Sequence, residues 1–134
     1  GVLNACKSLR EVRLNRNNIC TLPPRAFEGL SNLKVLILVS NKLRTLAKDV
    51  FHGLESLEIL ELWKNKLQNL PVGLFETLKS LKELHLGSNQ LKKLEKGTFH
   101  VLRSLEVLYL YHNKLQFLPA GIFQTLKSLK SLDL

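Results

Sequence analysis

The chain holds 134 residues, 45% of them hydrophobic, with 20 lysines and arginines against 11 acids and a formal charge of +9. That length supports one domain with a true core, and no run approaches the roughly 20 apolar residues that cross a bilayer. Two cysteines are too few for a disulfide framework and lack zinc-like spacing, and the basic surplus speaks to solubility and weak attraction to polyanions rather than to fold.

The first eight residues read as half a coil. Leu3 and Cys6 stand 24 residues ahead of Phe27 and Leu30, so Cys6 takes a leucine position and is expected to point inward. From Leu9 onward LxxLxLxxN, then xLxxL, then FxxLxxL recurs without insertion. Five full copies of 24 residues occupy 9–128, and 129–134 begin a sixth. Asn17, Asn41, Asn65, Asn89 and Asn113 keep this period, as do Phe27, Phe51, Phe75, Phe99 and Phe123.

Each element of the copy has a physical task. Leucines alternating with outward residues make a short strand with one buried face. One coil cannot bury its own leucines, so coils stack and their strands pair in parallel. The asparagine amide is placed to pair with buried backbone of its own and the next coil. The phenylalanines are expected to stack as a spine under the convex side. Pro23, Pro71 and Pro119 mark a turn, and Gly73, Gly97 and Gly121 at the next turn position are expected at positive φ. Cys20 falls at an outward position, so two separate thiols are expected. Neither end shows a polar cap, which suggests a piece of a longer protein or ends shielded by self-association.

The segments KLQNLPVGLFETLKSLKELHL and KLQFLPAGIFQTLKSLKSLDL resemble the repeats of extracellular leucine-rich repeat proteins. They are most similar to the variable lymphocyte receptors of jawless vertebrates. Toll-like receptors and small leucine-rich proteoglycans share the broader pattern. The resemblance implies an α/β solenoid over residues 1–134, a right-handed leucine-rich repeat arc. It would carry a parallel concave β-sheet and a mostly irregular or short-helical convex side. It also implies an extracellular or secreted location, at the cell surface if the chain is part of a longer one, and antigen binding on the concave sheet. The cysteine-rich caps of that family are missing here, so a contact borne by a cap cannot be carried over.

Residues flanking the strand leucines point away from the core and form three columns on the concave face. The first is Glu11, Val35, Ile59, Glu83, Val107 and Ser131. The second is Arg13, Ile37, Glu61, His85, Tyr109 and Asp133. The third is Asn15, Val39, Trp63, Gly87 and Tyr111. Four acids against one arginine give this strip −3, opposite in sign to the whole chain. Glu61, Trp63, Glu83, His85, Tyr109, Tyr111 and Asp133 are the expected ligand contacts, because tyrosine and tryptophan bury large area with few rotors. Strand propensity alone explains Val35, Ile37 and Val39 better than it explains that cluster, so those three are secondary contacts. Just outside, Lys34, Glu58, Lys82, Glu106 and Lys130 alternate in sign. A lateral ion-pair ladder accounts for them, which leaves Glu58 and Glu106 as secondary contacts also.

No GxSxG, HExxH, glycine-rich phosphate loop or CxxC appears, and no catalytic residue, metal ligand or cofactor is expected. Glu61, Glu83 and His85 can meet on the open sheet, where a cross-strand pair of His85 with Glu61 is the expected outcome. His52 and His100 share a convex column two coils apart. The sequence therefore points to a recognition module of the immune-receptor kind, binding a protein or carbohydrate on a microbial or cell surface. The alternatives are a matrix protein binding a host protein and a heparin or nucleic-acid binder using the basic outer surface. Nucleic acid is not the expected partner, since the lysines lack aromatic interleaving.

Overall fold

In a computed structural model, which describes residues 7–134, the leucine–polar alternation yields six three-residue strands. These are β1 (Glu11–Arg13), β2 (Val35–Ile37), β3 (Ile59–Glu61), β4 (Glu83–His85), β5 (Val107–Tyr109) and β6 (Ser131–Asp133). They form one parallel sheet in sequence order, each residue pairing with the residue 24 positions on. Parallel neighbours with no crossover mean that every coil stacks on the one before it. The central leucines Leu36, Leu60, Leu84 and Leu108 are fully buried, so the strand register is the expected one.

Beneath the sheet, leucines from successive turns of each coil close a continuous core. The phenylalanine spine is present, with ring centroids 6.4, 6.5, 6.2 and 6.1 Å apart from Phe27 through Phe123 and the planes nearly parallel. Phe51, Phe75 and Phe99 are almost wholly buried. Between strands the convex backbone runs as turns held by short-range hydrogen bonds such as Leu78 N to the Phe75 carbonyl, and none of the described residues is helical.

The asparagines bond as a ladder. Asn65 Nδ2 donates to the carbonyls of Leu38 (2.9 Å) and Leu62 (3.0 Å), and its Oδ1 accepts from Leu43 N at 3.2 Å. Asn89 and Asn113 repeat the arrangement. The partner is thus the preceding coil, not the next one. The amide follows the strand at the inner turn, where the nearest open backbone belongs to the coil already laid down. Among the described residues no buried side-chain N or O is left without a partner.

A second regularity escaped the sequence reading. Arg16, Ser40, Lys64, Ser88 and His112, each just before a ladder asparagine, all have φ between 53° and 58°. Such left-handed backbone is uncommon outside glycine, and here the ladder and sheet hold it in place. Gly73 and Gly121 have positive φ as expected, but Gly97 does not, so glycine there is not required by its backbone. Cys20 is exposed, whereas the inward position expected for Cys6 lies outside the described residues. Among the described residues no helix is long and apolar enough to cross a membrane.

Candidate functional site

The short strands fix which side chains reach the concave face. Because leucine occupies each strand centre, the residues on either side must project outward, and the third column follows two residues beyond the strand. The structure places Trp63, Tyr109 and Tyr111 there, half-buried and outside the leucine core. Glu61, Glu83 and His85 are also half-buried, and Asp133 is exposed.

Toward the C-terminal half the aromatic rings touch. His85 meets Tyr109 edge-on at 5.0 Å, Tyr109 and Tyr111 lie 6.1 Å apart and tilted by 55°, and Tyr111 meets His112 edge-on at 5.5 Å. Gly87 makes this possible. A Cβ at that position would lie 2.5 Å from Tyr111 Cζ, so the tyrosine rests directly on the bare backbone. Gly87 and His112 were not among the expected contacts. The signal was available, since Gly87 is the one residue in the third column without a side chain.

His85 does not pair with Glu61. Its Nε2 lies 3.1 Å from Glu83 Oε1 on the same strand, because alternate residues of a strand share a face and Tyr109 packs against the imidazole. Glu83 is therefore engaged, whereas Glu61 and Asp133 make no ion pair among the described residues. Arg13 is held by Glu11 at 2.8 Å. The outer ladder is incomplete: Lys34 pairs with Glu58 at 3.5 Å and Lys130 with Glu106 at 3.6 Å, but Lys82 pairs with neither. Glu58 and Glu106 are thereby occupied.

Toward the N-terminal half the secondary apolar contacts divide. Val35 is partly open, whereas Ile37 and Val39 are only 9% and 8% exposed although they face away from the core. They floor a shallow, open hollow walled by Arg13, Glu61 and Trp63. Lys64 Nζ sits 5.2 Å from the Trp63 ring centroid, a cation–π contact. On the convex side, a groove lined by Lys96, His100, Gln124 and Thr125 contains no carboxylate.

This geometry, an uninterrupted parallel sheet over stacked 24-residue coils sealed by an asparagine ladder, matches a family model described as leucine rich repeat over residues 7–62 and 55–115. The chain belongs to the leucine-rich repeat family. Among solved structures it is similar to TLR13 in its complex with ssRNA13, at 36% identity and a TM-score of 0.94, over 98% of this chain and 19% of that one. It is also similar to a leucine-rich repeat protein of Leptospira interrogans, at 36% identity and a TM-score of 0.86, over 98% of this chain and 32% of that one. The chain thus spans a fifth to a third of the length of these relatives. No curated protein matches the sequence. Leucine-rich repeat proteins generally serve as non-enzymatic scaffolds that bind other molecules, and no catalytic family is indicated for this one.

Proposed function

We propose that this leucine-rich repeat module is an extracellular recognition element. It binds a protein or carbohydrate of a microbial or foreign surface through Glu61, Trp63, Glu83, His85, Tyr109, Tyr111 and Asp133. One observation carries the reading. The strip gathers the only tryptophan, both tyrosines and a cluster of acids on the one open sheet, in a chain that is otherwise strongly basic. Aromatic rings supply contact area, and the acids select cationic or hydroxyl-rich groups. The repeat resemblance to variable lymphocyte receptors supports the immune and extracellular parts of the reading. A host matrix protein on the same face is the related alternative.

A binding screen against whole microbes and matrix proteins identifies the ligand class. The site is then tested with Glu61→Ala plus Glu83→Ala against Lys92→Ala plus Lys96→Ala. Charge-assisted hydrogen bonds contribute about 1.5–3 kcal/mol each, so the acid pair should lose most of its affinity while the lysine pair keeps it. The reverse outcome moves the site to the basic outer surface.

That second reading has its own support. TLR13 is described in complex with RNA, and the convex groove at Lys96 and His100 lacks any carboxylate. Binding to heparin or single-stranded RNA that falls steeply with salt would favour it.

A further inference from the structure

Ile37 and Val39 are apolar side chains buried on the wrong side of the sheet for the core. The hollow they floor is open to the concave face, walled on one side by Trp63, and edged by Arg16 and Lys64. An apolar floor with one aromatic wall is the arrangement in which a single buried anchor residue gains most. The rim then limits what that anchor can carry. Three cations line the hollow against one carboxylate, Glu61. Arg13 is already engaged by Glu11, but Arg16 and Lys64 make no ion pair among the described residues.

Both of these cations start from fixed points. Arg16 and Lys64 have φ of 58° and 57°, and their amides donate to the carbonyls of Val39 (3.0 Å) and Gly87 (3.1 Å). Lys64 is held further by the Trp63 ring. Little backbone ordering remains to oppose binding.

We infer that this hollow is a distinct subsite that takes an apolar side chain carried beside a carboxylate on a protein ligand. Such a group fills the Ile37–Val39 floor, stacks on Trp63 and meets Arg16 and Lys64 at the rim. A neutral apolar group gains nothing from the rim, and a cationic one is repelled by it. The face therefore changes preference along its length, anion-selecting at the Arg16–Lys64 rim and cation-selecting near β4–β6, with Glu61 between the two. Only the second half of that statement rests on the function proposed above.

Trp63 is the only tryptophan, so its emission reports on small probes that enter this subsite. The probes are N-acetyl-phenylalanine as its carboxylate, N-acetyl-phenylalaninamide and phenethylamine. Each is titrated against the whole chain and corrected for collisional quenching with free N-acetyl-tryptophanamide. The carboxylate should bind tightest, up to about fivefold over the amide, as expected for partly exposed ion pairs. The difference should vanish in molar sodium chloride. It should also vanish in Arg16→Asn plus Lys64→Asn, asparagine being chosen because it tolerates positive φ. Lys127→Asn, which removes an exposed cation outside the hollow, should leave all three titrations unchanged. Equal binding of carboxylate and amide, preference for the amine, or no response to any probe overturns the subsite. The salt comparison needs no variant, so a misfolded double mutant does not block the test. Failure here leaves the Glu61 and Glu83 measurement on the surface ligand untouched, so the two readings fail separately.

Discussion

Tyr111 lies flat across Gly87, close enough that a Cβ on the glycine would overlap the ring at 2.5 Å. The contact is backbone against aromatic face, and it sets where the tyrosine stands relative to Tyr109 and His112. Gly87→Ala should therefore lift Tyr111 and disperse the aromatic cluster. Gly87 does not have positive φ, so alanine fits the backbone there and global stability should change little. Ring chemical shifts of Tyr109 and Tyr111 should move, and affinity for a surface ligand should fall about tenfold or more if the cluster is a hot spot. Unmoved tyrosine signals would mean that the ring is not seated on Gly87.

Asn65→Leu should destabilise far more than Asn17→Leu. Asn65 is 7% exposed, and its removal leaves Leu43 N without its acceptor, while the Leu38 and Leu62 carbonyls keep only the amides of Asn41 and Asn89. At about 1–3 kcal/mol for a buried unsatisfied group, the loss should be at least about 1 kcal/mol. Asn17 is exposed, and among the described residues the one bond its side chain makes is to the Asn15 carbonyl. Urea denaturation of the two variants reads the difference directly, and equal midpoints would contradict the ladder.

Phe75→Ala should cost about 3–5 kcal/mol, because it opens a gap between Phe51 and Phe99 in the spine. Phe117, by contrast, is 68% exposed. Phe117→Ser should leave the denaturation midpoint nearly unchanged.

Cys20 should react with a thiol reagent in the native state, since it is exposed and its Sγ makes one long hydrogen bond, to the Asn18 carbonyl, among the described residues. In a Cys6→Ser variant, one thiol per chain should titrate without denaturant. Titration only after unfolding would show Cys20 to be covered.

The fold was legible because burial repeats itself. Leu36, Leu60, Leu84 and Leu108 occupy one role at one spacing, and the register follows from where they must point. The concave columns followed for the same reason, and Trp63, Tyr109 and Tyr111 stand where the alternation puts them. Side-chain partnering was less legible. Column order makes Glu61 the neighbour of His85, but the imidazole turned along its own strand to Glu83 once Tyr109 had taken its other side. Neither the burial of Ile37 and Val39 nor the left-handed turn at Lys64 has a sequence signature, since both depend on what the adjacent coils place over them.

The backward reach of the asparagine ladder also gives the solenoid a direction in time. Leu43 N acquires its partner only when Asn65, 22 residues later, is in place, and Leu67 N waits in the same way for Asn89. A chain emerging from a ribosome N-terminus first would thus carry one unsealed turn at its growing edge, each new coil closing the door behind its predecessor. Loss of a C-terminal coil should accordingly loosen the coil before it, whereas loss of an N-terminal coil leaves the seals of its successors intact.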